Sequence, residues 1–130
     1  MEKLSAKESR ELGKYYHTMG NLLQDFLFAN WNKLDEAQRK HLDQCISTIF
    51  QQSDEMLVHS TLLVLEEAKS DLEKIRGLCQ GMEKTVKGLE NIQQGIHLAT
   101  ALAGLGLAII SKNPKEITQN IQNLASAMKS

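Results

Sequence analysis

From Leu65 to Ile96 the chain repeats one rhythm. Leu65, Ala68, Leu72, Ile75, Cys79, Met82, Val86, Leu89, Gln93 and Ile96 follow one another in steps of three and four without a slip. A strand needs period two, whereas this spacing stacks side chains on one face of a helix. It extends over about four heptads, the pattern of a coiled-coil or bundle seam. Elsewhere no Val, Ile, Thr or aromatic run alternates at period two, and Pro114 is the single proline. The expected fold class is therefore all-α: an elongated bundle of four to five helices, one of them long and heptad-patterned. With 130 residues, 42% hydrophobic and 24% charged, the chain suits one domain over 1–130 with a real core.

Helix starts are well marked. Ser5-Ala-Lys-Glu8 is a capping box, in which the serine oxygen takes the Glu8 amide and the glutamate reaches back. The first stripe runs Leu12, Tyr15, Tyr16, Met19, Leu22, Leu23, Phe26, Leu27 and Trp31, with Asn30 and Asn32 near its end. Asp35 and Gln38 open a second helix with the stripe Leu42, Cys45, Ile46, Ile49 and Phe50. Ser53 or Asp54 is expected to cap the third, which the unbroken rhythm extends from Asp54 to about Gln94, roughly 60 Å. Gly77, Gly81 and Gly88 lie inside it and each costs about 1 kcal/mol against alanine. A break at one of them is the alternative.

Residues 95–110, GIHLATALAGLGLAII, carry no charge and are apolar on nearly every face. Such a helix is expected to be buried on all sides. The turn Ser-Lys-Asn-Pro follows, and Asn113, Pro114 and Glu116 start a last helix with the stripe Ile117, Ile121, Leu124 and Met128.

The chemistry of sites is sparse. Glu-x-x-His, the di-iron spacing, is absent: Lys14, Gln38, Met56 and Gln94 precede the four histidines by three. Glu55, His59 and Glu66 form the nearest thing to a metal row, and a solvated pair near a helix start explains them better. His41 and Cys45 are one helical turn apart, but no glycine loop offers an oxyanion site. No metal or other cofactor is expected, and no enzymatic activity. A net charge of −1 with interspersed signs leaves no footprint for nucleic acid. Cys45 and Cys79 form no C-x-x-C pair, and the polar start MEKLSAKESRELGKYY lacks a signal-peptide pattern, so a cytoplasmic location is expected.

Two functions compete. The first is a helical interaction or adaptor module. Its seam of Leu72, Ile75, Cys79, Met82, Val86 and Leu89 meets another copy or a partner helix. The bland competitor is that the chain's own helices cover that seam. The second function is membrane action by a segment that includes Ile96, His97, Leu98, Leu102, Leu105 and Ile109, with His97 as a pH trigger and Lys112 and Lys115 as headgroup anchors. Against it, the uncharged run is shorter than the roughly 18–20 residues of a spanning helix.

Overall fold

A computed structural model describes residues 2–3, 5–58, 64–65, 68–89 and 91–129. Among the described residues five helices carry the fold: α1 (Ala6–Ala29), α2 (Glu36–Val58), α3 (Ala68–Lys87), α4 (Ile92–Ile110) and α5 (Pro114–Lys129). A single 3-10 turn, Trp31–Lys33, joins α1 to α2. The described residues contain one scrap of sheet, β1 (Glu2–Lys3) antiparallel to β2 (Val64–Leu65). The protein is an all-α helical bundle.

The helices close a ring. α1 packs on α2, α2 on α4, α4 on α5, α5 on α3, and α3 back on α1. Ring order thus differs from chain order, because α3 flanks α1 rather than α2. Each helix turns its apolar stripe inward. Tyr16, Leu12, Leu42, Ile49, Met56, Ile75, Met82, Leu102 and Leu124 are all fully buried there. At about 1.5–3 kcal/mol per fully buried large aliphatic side chain, this ring interior is the main stabilising term.

The caps form as the sequence predicts. Ser5 Oγ accepts from the Glu8 amide at 3.1 Å and Glu8 Oε1 accepts from the Ser5 amide at 3.0 Å. The reciprocal pair recurs at Asp35 and Gln38, at 2.8 and 2.9 Å. Asn113 accepts from the Glu116 amide at 3.3 Å, with Pro114 in the first turn of α5.

Three expectations need correction. Ser53 and Asp54 cap nothing: α2 runs through them to Val58, and the buried Ser53 hydroxyl donates to the Gly13 carbonyl at 2.7 Å. A small hydroxyl served as a helix-to-helix tie, not as a start signal. The 60 Å helix does not form either, since residues 54–94 divide among the end of α2, β2, α3 and the start of α4. α3 stops at Lys87, and Asn91 caps α4 by accepting from the Gln93 and Gln94 amides at 2.9 and 3.4 Å. The three-four rhythm stays in phase between α3 and α4, so periodicity alone could not reveal the break. Third, Trp31 leaves the α1 stripe and stands 43% exposed in the 3-10 turn.

Candidate functional site

The seam residues are core. Leu72, Ile75, Cys79, Met82 and Val86 are at most 6% exposed, and Leu89 packs against the same cluster. α1 and α5 supply the covering surface. In this conformation the chain's own helices cover the seam.

The cysteine–histidine pair comes together with a third group. His41 Nε2 lies 3.0 Å from Thr100 Oγ1 and 3.8 Å from Cys45 Sγ, across the contact of α2 with α4. Thr100 itself donates to the Ile96 carbonyl at 2.9 Å. Its oxygen therefore accepts from His41, which places the proton on Nε2 and leaves that nitrogen unable to take one from the thiol. Burial pushes the Cys45 thiol up, against a smaller opposing effect of its contact with Thr100. A nucleophilic cysteine needs the reverse shift. The trio ties α2 to α4.

Of the metal row, His59 and Glu66 lie outside the described residues. Among the described residues no group of three His, Cys, Asp or Glu side chains is placed to hold an ion. Cys79 is buried in apolar surroundings and its thiol is pushed up to about 12.

α4 departs from its expected setting. Ile96, Leu98, Leu102, Leu105 and Ile109 are buried, yet Leu107 is 62% exposed and His97 and Thr100 also face solvent. The helix is thus buried on one side, not all round. His97 stays exposed while α4 is packed in the bundle, so its side chain is not buried with the segment. With Ile92 to Gln94 added to the uncharged run, α4 is long and apolar enough to cross a membrane by length and composition, and half of it is buried in the bundle.

Polar side chains reach the middle of this apolar helix from its neighbours. Tyr16 donates through its hydroxyl to the Leu102 carbonyl at 3.0 Å, and Gln52 Nε2 donates to the Ala103 carbonyl at 2.8 Å. Burial, and secondarily the nearby Cys79, raise the Tyr16 phenol well above its ordinary range, which keeps it a donor. Gln52 Oε1 is buried without a partner and sits over Gly106, where a Cβ would overlap it. The Phe26 ring fills the place of a Cβ at Gly95 in the same way, and Asn120 Oδ1 would lie 2.7 Å from one at Gly104. Three glycines of α4 are therefore sockets for α1, α2 and α5.

Two surfaces stand out as available. At the α1–α2 corner, Phe28 is 63% exposed beside Trp31, with ring centroids 6.2 Å apart. Arg39 lies 4.8 Å over the Trp31 ring, and its Nε donates to the Trp31 carbonyl at 2.8 Å. Asn30 bonds back to the Phe26 carbonyl and Leu34 is buried beneath, so the corner is anchored at both ends. Sequence periodicity assigned Trp31 to the core; the Asn-Trp-Asn-Lys run was the signal of a turn. The second surface is a groove of about 390 Å³ between α3 and α5, lined by Gly77, Leu78, Ile121 and Ala125 among others. Compared with family models, with curated proteins and with solved structures, the chain matches none.

Proposed function

We propose that this chain is a non-enzymatic helical interaction module that self-associates through the α1–α2 corner. One observation carries the reading: Phe28 and Trp31 stand exposed side by side on a fixed turn, with Arg39 stacked on the indole. Tryptophan and arginine are the residues in which interface energy concentrates, because each brings large contact area and a polar handle. Leaving them in water wastes about 25 cal/mol for each Å² of apolar surface that a partner would cover. A preset corner also loses little side-chain freedom on docking. The seam in α3 supports the same role indirectly, by holding the scaffold that presents the corner.

Light scattering across a concentration series tests this. Wild-type mass is expected to rise above that of a monomer, with Trp31 emission shifting blue as the indole is covered. The Phe28→Ala, Trp31→Ala double variant is expected to stay monomeric with an unchanged helical spectrum. A wild type that remains monomeric with its indole fully open to quencher at every concentration would falsify the reading.

A further inference from the structure

We propose that α4 is a stowed membrane helix, held in the bundle by glycine sockets and polar ties, among them two latches from Tyr16 and Gln52, whose second environment is the hydrocarbon of a phospholipid bilayer. The inference concerns a different surface from the α1–α2 corner and does not depend on it.

Its basis is the outer face of α4. A helix on the surface of a water-soluble bundle ordinarily carries charge on its exposed side. α1, α2 and α3 do so, with Lys14, Asp25, Lys40, Asp43, Glu73 and Lys84 all exposed. From Asn91 to Ser111 there is no Asp, Glu, Lys or Arg on the inner or the outer face, and the one titratable side chain is His97. The outward positions are Gln93, His97, Thr100 and Leu107. Core packing explains the inner face; it does not explain this one. In a bilayer both faces find an apolar medium.

Length points to lipid in preference to protein. Nineteen residues give about 28 Å of helix, close to the roughly 30 Å of bilayer hydrocarbon. Apart from His97 and Thr100, the polar groups sit at the ends: Asn91, Gln93 and Gln94 at one, Ser111, Lys112 and Lys115 at the other. Lysines just beyond a span reach headgroups. Thr100 already spends its hydroxyl on the Ile96 carbonyl of its own helix, so it enters hydrocarbon satisfied.

The latches set the balance. Tyr16 and Gln52 bond to the Leu102 and Ala103 carbonyls, which keep their own intrahelical bonds when α4 departs. Release strands the donors, not the helix. Those two bonds therefore hold α4 in the bundle without marking it against the membrane.

Neutral phosphatidylcholine vesicles, which exclude simple charge attraction, provide the test. Wild-type protein is expected to sediment with the vesicles. Trypsin treatment is then expected to leave the peptide from Gly88 to Lys112, which has no internal Lys or Arg, protected in the vesicle pellet. Leu107→Lys alters an exposed position, so melting temperature in buffer is expected to stay near wild type while the bound fraction falls about tenfold or more. The Tyr16→Phe, Gln52→Leu double variant is expected to bind several-fold more, and Trp31→Ala to bind as wild type. Three results would overturn the proposal: neither wild type nor the latch variant binds; Leu107→Lys binds as wild type does; or Leu107→Lys lowers the scattering mass in buffer, which assigns the face to a second copy.

Discussion

α3 and α4 are neighbours in sequence, of similar length, and each contains glycines. They solve opposite problems. α3 is amphipathic: Leu72, Ile75, Cys79, Met82 and Val86 face the ring interior, while Glu73, Lys74, Gln80, Glu83, Lys84 and Lys87 face water. α4 has no such division by charge, and its position is set by shape and by hydrogen bonds to its backbone. The glycines differ accordingly. Gly77 in α3 faces open space, whereas Gly95 and Gly106 in α4 receive side chains from other helices. An amphipathic helix is oriented by its own pattern of polarity. A uniformly apolar helix has no such pattern, and its neighbours must specify its rotation and depth.

The strongest way to break the comparison is to charge each helix where it is fully buried. Met82→Glu in α3 and Leu102→Asp in α4 both place a carboxylate at a position with no exposure. Each is expected to cost at least about 4 kcal/mol, most of the stability of a protein at the low end of the ordinary range of about 5–15 kcal/mol. Circular dichroism and urea titration check this. If Leu102→Asp keeps a near-native spectrum while Met82→Glu unfolds, α4 is an accessory to a bundle that stands without it.

Gly95→Ala and Gly106→Ala probe the sockets. Alanine is the better helix former by about 1 kcal/mol, but here its methyl meets the Phe26 ring or the Gln52 amide and Tyr16 ring. Overpacking and the displaced Gln52 bond are expected to outweigh the propensity gain, for a net loss of about 1–3 kcal/mol. A thermal melt resolves this, at roughly 4 °C per kcal/mol for a domain of this size. Unchanged or raised melting temperatures would mean that the sockets relax freely and do not key α4.

Much of this architecture was legible in the residues. Capping boxes at Ser5 and Asp35, and the Asn113-Pro114 start, mark three of the helix origins because each is a local hydrogen-bond exchange. The all-α class followed from period. The α3–α4 turn stood only as the alternative of a break at one of the glycines, although Asn91 with Gln94 three residues later has the capping spacing. The apolar rhythm continued in phase through Gly88 and outweighed it. Sites fared worse, for a physical reason. Helical periodicity reports that a face is buried and is silent on whether the covering surface belongs to the same chain. The sockets depend on side chains from far in sequence, such as Phe26 over Gly95, so no local pattern encodes them.

Tyr16→Phe removes one latch and leaves the ring in place. Leu102 keeps its intrahelical bond, so the loss is that of one buried hydrogen bond, about 1 kcal/mol. Double-mutant analysis with Gly106→Ala sharpens the comparison, since Tyr16 and Gln52 both touch that glycine. The two changes are expected to be non-additive, as for groups sharing one contact. Strict additivity would separate the hydrogen bond from the socket.

The smallest effect carries the opposite sign. At Gly77 a Cβ meets nothing within 4 Å, and the residue lies in the middle of α3 on the groove facing α5. Its φ is not positive, so alanine adopts the same backbone. Gly77→Ala then gains helix propensity and restricts the unfolded chain with no steric charge against it. It is expected to stabilise the protein by about 0.5–1 kcal/mol, read as a rise in melting temperature or urea midpoint. The contrast with Gly106→Ala is the informative quantity, because identical chemistry in adjacent helices should move stability in opposite directions. A destabilising Gly77→Ala would show that the α3–α5 groove is occupied at that glycine, and light scattering on the same sample would show whether a second copy fills it.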